Sequence, residues 1–417
     1  MTKGRLWFLA IAAAMGGFLF GYDTAVINGG EQQIQKVWAL SAAMHGWVMS
    51  SALWGTVLGA VFGGKVCDRI GRKMTLLWVG ILYFVSAVWS GLACGPWDLM
   101  VARFIGGLGV GASSIAAPVY IAEISPAERR GQLGGLFQFN IVLGMVVSQF
   151  VNWAIGSVGL GDVTWRWMLG AEAVPALAFT LLCPFLVESP RWQAMRAARL
   201  KSAPCHCSTS DLQPLNFFSR ANARPILLAF AVAAFNQLSG INAMLYFAKR
   251  IFEMAGFSPS VALGTAAALT VVLGAGTFAG LLLIDRVGRR TLLIVGTIGC
   301  IVAHFATAAA FLLNWGLMAA LCIFPFIVFF AMGQGVVIWV FISEIFPQQF
   351  RAQGQSFGAG THWSFCALLT FVFPIMAVRL PPWMIFGFFG LCLVAHLAWA
   401  VFICPETKGK TLEELAS

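Results

Sequence analysis

Apolar stretches of about 20 residues recur along the whole chain, and short polar connections separate them. A helix of that length crosses the ~30 Å hydrocarbon core of a bilayer. The pattern predicts twelve membrane-spanning helices, with one long polar interval between the sixth and the seventh. The predicted spans are 5–28, 43–63, 73–94, 97–121, 133–156, 167–187, 224–250, 261–284, 291–312, 316–343, 352–378 and 383–404.

Composition agrees with a membrane protein. Hydrophobic residues make up 59 % of the chain and charged residues 10 %, against about 25 % charged in soluble domains, and the mean hydropathy is +0.84. If the N-terminus is cytoplasmic, 20 of the 26 lysines and arginines lie on the cytoplasmic side. This bias predicts that both termini are cytoplasmic, and it argues against nucleic acid as the reason for the +10 net charge.

Three pairs of polar motifs repeat at nearly one spacing. The run 64–73 (Gly-Lys-Val-Cys-Asp-Arg-Ile-Gly-Arg-Lys) resembles 283–290 (Leu-Ile-Asp-Arg-Val-Gly-Arg-Arg). Matched positions 68 and 285, 123 and 344, and 188 and 406 lie 217, 221 and 218 residues apart. We interpret this as a tandem duplication of a six-helix unit, an architecture that places a substrate site between the halves. The expected domains are 1–187, a cytoplasmic linker 188–223, 224–404, and a tail 405–417.

Three charged residues are predicted to lie at membrane depth, where charges are costly and are candidates for function. Asp23 and Arg103 are expected at one level of the first half, which favours an ion pair. The pair is either a static strut or a proton-coupled switch, in which protonation of Asp23 frees Arg103. Glu172 is either a proton relay or a hydrogen-bonding group near the outer interface.

Neutral polar side chains cluster in the predicted seventh segment. Amides offer both donors and acceptors, which suits an uncharged ligand covered in hydroxyl groups, although amides also join helices in membranes. Asn236, Gln237, Asn242 and Tyr246 flank Gly240, where a break in the helix would turn Gln237 and Asn242 toward one site. Other candidates of the same kind are Gln138, Trp339, His362 and Trp363.

The repeated charges are predicted to pair at cytoplasmic helix ends and to hold an inner gate shut. The alternative is that the arginines alone set the orientation of the chain in the membrane. The acids at these positions argue against it, because acidic residues contribute little to orientation. The candidate gate residues are Asp68, Arg72, Glu123, Arg130, Glu188, Arg191, Asp285, Arg289, Glu344, Arg351 and Glu406.

Enzyme chemistry is not indicated by any motif. The run Cys205-His206-Cys207 is too tightly spaced for an ordinary zinc pair and has no second pair to complete a site. We therefore expect no metal, no cofactor and no catalytic residue.

Taken in order, the motifs resemble those of the sugar porter family of the major facilitator superfamily, most of all bacterial proton-coupled symporters for xylose, galactose or glucose. The resemblance covers nearly the whole chain. It rests on 16–23 (Gly-Gly-Phe-Leu-Phe-Gly-Tyr-Asp), the two Asp-Arg-x-Gly-Arg loops, 103–107 (Arg-Phe-Ile-Gly-Gly), 120–123 (Tyr-Ile-Ala-Glu), 188–192 (Glu-Ser-Pro-Arg-Trp), 237–242 (Gln-Leu-Ser-Gly-Ile-Asn), 343–347 (Ser-Glu-Ile-Phe-Pro) and 405–409 (Pro-Glu-Thr-Lys-Gly).

The resemblance implies an all-α membrane protein of the major facilitator fold, with two six-helix halves related by pseudo-two-fold symmetry and alternating access by rocking. It implies that Asp23 couples to protons with Arg103 as its partner. It also implies sugar contacts at Gln138, Gln237, Asn242 and Trp339, with Trp363 and Tyr246 nearby. The family usually has a glutamine at 236, an asparagine near 273, a proline at 336 and a glutamine at 362, and a longer central loop. Here Asn236, Leu273, Val336 and His362 stand at those positions.

The expected function is import of a pentose or hexose with a proton through a bacterial inner membrane. The expected partners are the sugar, the proton and the lipid bilayer, with the protein a monomer. A sugar or polyol facilitator without obligatory proton coupling is the alternative. A transporter-like sugar sensor is a remote alternative, because such sensors usually carry long cytoplasmic extensions, whereas the expected tail here is the short stretch 405–417.

Overall fold

The computed structural model describes residues 3–126, 130–201, 217–347 and 350–408, and helices account for most of them. The helices, numbered in chain order, are α1 Lys3–Val37, α2 Ala42–Ile70, α3 Arg72–Leu92, α4 Pro96–Ile124, α5 Arg130–Val158, α6 Thr164–Gly170, α7 Ala173–Leu182, α8 Pro190–Lys201, α9 Ala223–Leu238, α10 Ile241–Tyr246, α11 Ala248–Met254, α12 Pro259–Val287, α13 Arg289–Leu312, α14 Gly316–Phe330, α15 Val336–Ile345, α16 Arg351–Arg379 and α17 Pro382–Phe402.

Twelve helical stretches within these ranges are long and apolar enough to cross a membrane, which confirms the predicted number. The first differs from its predicted end at residue 28, because α1 continues as a regular helix to Val37. Since the number of spans is even, α1 begins and α17 ends at one face of the bundle. We name this the terminus-bearing face and the opposite one the distal face.

Three of the spans are not single regular helices. The seventh breaks at Gly240, as the sequence predicts, with a left-handed φ of 84° between α9 and α10. A side chain there would be strained, and a Cβ atom would also lie 2.8 Å from the Phe389 ring. The sixth is interrupted between α6 and α7, and the tenth passes through a π-helical turn at Ala331–Gly335. The last two interruptions were not predicted.

Glycines allow helix backbones to approach closely, as is common between membrane helices. Within the first half, Gly107 of α4 lies against the Ala52 carbonyl of α2. Between the halves, α2 packs against α16 and α5 against α12. These two contacts include Gly46 against the Phe371 backbone and Gly274 against Val142.

The apolar core is divided differently at the two faces. Near the terminus-bearing face each half has its own cluster of buried residues, one drawn from 6–186 and the other from 228–404. Toward the distal face a single cluster joins both halves, and it includes Tyr22, Leu53, Phe247 and Phe373. The halves are therefore packed together at the distal face and have separate cores at the other.

We expect Gly107→Ala to lower the free energy of unfolding by about 1–3 kcal/mol, because the new Cβ atom would overlap the Ala52 carbonyl oxygen and force α2 and α4 apart. Thermal unfolding of the purified protein in detergent measures this. The matched control is Gly64→Ala in α2, where a Cβ atom would have no neighbouring atom within 4 Å. Equal transition temperatures for the two variants would contradict the prediction.

Candidate functional site

A buried ion pair joins α1 to α4. The Nη1 atom of Arg103 lies 2.5 Å from Oδ1 of Asp23, and its Nη2 donates to the Asp23 backbone carbonyl at 3.0 Å. The two residues are 3 % and 2 % exposed. The predicted pairing is thus present, and the bidentate contact compensates part of the cost of removing both charges from water.

Glu172 is a second buried acid beside this pair. It lies where α6 gives way to α7, and it interacts electrostatically with both Asp23 and Arg103. Among the described residues, its Oε1 atom has no hydrogen-bond partner. Two carboxyl groups and one guanidinium carry a net charge of −1 when all are ionised. A proton on either acid neutralises the set, which is the property that a buried proton-binding site needs.

The amides of the seventh span form one connected cluster. Asn242 Nδ2 donates to Gln237 Oε1 at 2.6 Å, although the two residues are five positions apart. Gln237 Nε2 in turn lies 3.2 Å from Asn236 Oδ1 and faces the ring nitrogens of His362 at 3.0 and 3.1 Å. The break at Gly240 brings α9 and α10 side chains together, as the sequence predicts.

Aromatic rings line the same cluster. The His362 ring lies between two tryptophans, with centroid distances of 5.0 Å to Trp339 and 4.9 Å to Trp363. Phe20 of α1 contacts Trp363 from the first half, at 5.6 Å between centroids. Apolar ring faces beside amide groups are suited to a ligand with alternating CH and OH surfaces.

Two predicted site residues lie apart from the amide cluster. Tyr246 is buried beside Asp23 and Arg103, so it belongs to the acidic side of the site. Gln138 is half-buried on α5. Hydrogen bonds among the described residues do not connect it to the amides of the second half.

A polar chain that sequence reasoning missed extends from the amide cluster into the second half. Asn236 Nδ2 donates to the Gln334 backbone carbonyl at 3.3 Å, and Gln334 Nε2 donates to Thr297 Oγ1 at 3.3 Å. Thr297 then contacts His396 Nδ1 at 3.4 Å. Gln334 lies in the π-helical turn and is buried. The sequence signal that could have identified this chain was the amide of Gln334 in an otherwise apolar segment.

The charges at the terminus-bearing face form a network in each half. In the first, Arg72 Nε and Nη2 each donate to the Glu123 carboxylate at 3.0 Å, and Glu188 accepts from the Arg72 backbone N–H at 2.9 Å. Asp68 pairs with the Arg72 side chain at 3.0 Å, while Arg191 is exposed.

The second network repeats the first. Arg289 Nη2 donates to Glu344 at 2.8 Å, and Glu406 accepts from the Arg289 backbone N–H at 3.0 Å. Each network joins helix ends within one half, and the closing of an inner gate by these charges stays a prediction. The side chains of Arg130, Asp285 and Arg351, and the run Cys205-His206-Cys207, lie outside the described residues.

The carboxyl group of Glu406 caps the start of α13. Burial alone raises its pKa, but backbone N–H groups of Lys408, Arg289, Arg290 and Thr407 stabilise the charged form and hold the pKa below its usual value. A lowered pKa means that this contact stabilises the fold above the usual glutamate pKa of about 4.3 and is lost as the pH falls through the lower folded-state value.

We therefore expect Glu406→Gln to lower the thermal transition temperature in detergent at neutral pH by about 2 °C or more. The difference from wild type should shrink as the pH falls below about 4. Glu253→Gln is the control, because the ion pair of Glu253 with Lys249 at the distal face is long, at 4.0 Å. A difference for Glu406→Gln that stays constant with pH would refute the assignment.

Comparison with known proteins places this geometry in a family. A sequence model described as "Sugar (and other) transporter" matches residues 9–205 and 207–417. The chain is 31 % identical to the arabinose-proton symporter of Bacillus subtilis, over 99 % of this chain and 95 % of that protein. It is 31 % identical to the D-xylose-proton symporter of Escherichia coli K12, over 99 % and 96 %.

The fold also matches a solved structure. The inward open conformation of the xylose transporter from Escherichia coli aligns with a TM-score of 0.85 at 30 % identity, covering 98 % of this chain and 99 % of that one. The twelve candidate spans of this chain agree with a transporter of this kind. The chain is therefore a multi-pass membrane protein of the major facilitator fold and belongs to the sugar transporter family.

Proposed function

We propose that the protein is a secondary active transporter that imports a monosaccharide, a pentose or hexose, together with a proton by alternating access. The observation that carries the proposal is the buried set of Asp23, Arg103 and Glu172, in which two acids share one arginine. Transport of an uncharged sugar alone does not require such a set. Two relatives that are named proton symporters support the proposal.

The terminus-bearing face is proposed to be cytoplasmic, with the protein a monomer in a bacterial inner membrane. Support comes from the excess of lysine and arginine at that face. The halves share one core near the distal face and have separate cores near the other. This arrangement corresponds to a state that is closed to the outside and faces the cytoplasm.

Sugar binds between the halves, at the amide cluster of Gln237 and Asn242 and the rings of Trp339 and Trp363. The amides exchange hydrogen bonds with one another in the structure, and sugar hydroxyls replace these bonds on binding. Because no bond of the sugar is made or broken, the protein acts as a transporter and not as an enzyme, and it needs no cofactor.

The proton acts through the ion pair. When the site faces outward, Asp23 takes a proton and releases Arg103, whose charge is then balanced by Glu172. The neutral set is compatible with the closed, water-poor intermediate that carries sugar across. Loss of the proton inward restores the contact between Asp23 and Arg103 at 2.5 Å. Protonation thus biases the two conformations differently.

A facilitator without obligatory proton coupling is the second candidate. In that case the pair of Asp23 and Arg103 is a structural strut, and sugar equilibrates whatever the pH gradient. Both functions use the hydrogen-bonding cluster of the seventh span, because a symporter and a facilitator both bind sugar. The two are separated by accumulation, because only a symporter concentrates sugar above equilibrium.

We expect wild-type protein in proteoliposomes to accumulate radiolabelled sugar above equilibrium when an inward proton gradient is applied. Asp23→Asn cannot exchange a proton at this position, so it should equilibrate or exchange sugar without concentrating it. Asp162→Asn is the matched control, because Asp162 is an exposed acid at the distal face. If the wild-type protein only equilibrates sugar, whatever the proton gradient, the protein is a facilitator and not a symporter.

We also expect Gln237→Ala to weaken sugar binding by about two- to tenfold, the effect of losing one hydrogen bond to an uncharged group. The half-saturation concentration for exchange at equal pH measures this, since exchange does not depend on coupling. Gln193→Ala, which removes an exposed amide from α8, serves as control. An unchanged half-saturation concentration would remove Gln237 from the sugar site.

A further inference from the structure

Two titratable side chains are completely buried near the distal face, far along α1 from Asp23. Glu31 of α1 and His45 of α2 are both 0 % exposed, and the Nε2 atom of His45 lies 2.7 Å from Oε2 of Glu31. Both belong to the first half. Sequence reasoning missed Glu31 because it ended the first span at residue 28, three positions earlier, and it placed His45 within the span 43–63 without singling it out.

An arginine from the other half completes this cluster. Arg250 of α11 donates from Nε and Nη2 to the two Glu31 carboxylate oxygens, at 3.0 and 2.9 Å. Its Nη2 also lies 2.5 Å from Oε1 of Gln35. Beside it, the Lys249 backbone N–H donates to Oδ1 of Asn28 at 3.2 Å. Charged contacts thus join the halves where the distal face is closed.

The contacts assign the protonation of the closed cluster. Nδ1 of His45 is buried and has no hydrogen-bond partner among the described residues. A charged imidazole would leave a buried N–H donor unpaired there, whereas a neutral ring with its proton on Nε2 donates to Glu31 and leaves only an acceptor unused. Ionised Glu31 is then balanced by Arg250.

Other charges around the cluster do not replace Arg250. On α1, Lys36 is exposed to solvent. On α11, Lys249 pairs with Glu253 at 4.0 Å and moves with Arg250.

The charges on the remaining helices near the cluster have other partners or positions. The Arg166 side chain of α6 stacks on Trp165 and donates to the Gly91 carbonyl. On α16, Arg379 ends the helix in the second half. On α2, His45 is the titratable group of the distal turns.

Opening of the distal face, which the proposed alternating access requires, withdraws Arg250 with the second half. Glu31 then keeps His45 as its neighbour within the first half and loses the cation that balanced it. Uptake of one proton, shared across the 2.7 Å contact between His45 and Glu31, restores charge balance. We propose that Glu31 and His45 form a second proton-binding site, separate from Asp23, that is filled when Arg250 withdraws and the distal gate opens.

The proposal rests on the alternating access proposed above, and it makes opening of the distal gate depend on external pH. If one proton is taken up on opening, the ratio of open to closed protein rises up to about tenfold for each unit by which the pH falls. This dependence belongs to the gate, so it exists without sugar and without a proton gradient.

Labelling of a cysteine behind the gate tests this. Ala248→Cys places a thiol at a position that is 4 % exposed in the closed state, and the native Cys94 at the distal face is exposed. An impermeant maleimide is added to sugar-free proteoliposomes at equal internal and external pH. Peptide mass spectrometry gives the ratio of labelling at the introduced thiol to that at Cys94, so the pH dependence of thiol chemistry largely cancels.

The ratio is expected to rise on acidification from about pH 8 to about pH 5.5 in the parent protein, by up to about tenfold per unit. Glu31→Gln mimics the protonated acid and gives a high ratio that does not vary with pH. In His45→Gln the rise moves to more acidic pH, because the carboxylate alone takes the proton. Lys249→Gln, the neighbouring cation, behaves as the parent.

A flat ratio in the parent, or an unchanged pH dependence in Glu31→Gln, would overturn the proposal. Each variant is first checked for monodisperse elution, and His45→Gln supplies the test if Glu31→Gln does not fold. Asp23→Asn is expected to retain the pH dependence. If sugar uptake is independent of the gradient while the labelling still depends on Glu31, the proposal of symport is wrong and the proposed proton-binding site at Glu31 and His45 is supported.

Discussion

Hydrocarbon offers no hydrogen-bonding partner, so a charge or a freed backbone group at membrane depth has to find its partners within the protein. The ion pair at the centre of the first half meets this constraint. Arg103 binds both the carboxylate and the backbone carbonyl of Asp23. At the helix starts, Glu188 and Glu406 accept the N–H groups that α3 and α13 leave unpaired.

The two halves share the same arrangement at the start of one helix, but their buried polar residues differ. Gly71 and Gly288 precede α3 and α13 with φ angles of 99° and 101°, and each is followed by an arginine that binds a glutamate of the same half. The interior differs between the halves. The buried set of Asp23, Arg103 and Glu172 lies in the first half, and the connected cluster of Gln237, Asn242 and His362 lies in the second. The proposed proton and sugar sites are thus separate but adjacent.

Periodicity and motif spacing were sufficient to predict the number of spans, the duplication, the ion pair of Asp23 and Arg103, and the break at Gly240. Each of these depends on local chemistry or on the direction of a span. The extension of α1 to Val37 was missed, because a polar run such as 31–36 does not distinguish the end of a span from a helix buried by neighbours. Contacts such as that of Arg250 with Glu31, 219 positions apart, leave no local signal.

The two lines of contact between the halves have a mechanical consequence. Where α2 meets α16, Gly46 lets the helix backbones approach while Trp47 packs on the Phe371 ring at 4.8 Å between centroids. Where α5 meets α12, Gly274 lies against Val142. Apolar contacts of this kind are not directional, so a small rotation of one half against the other can keep them in contact while the charge network inside each half stays intact.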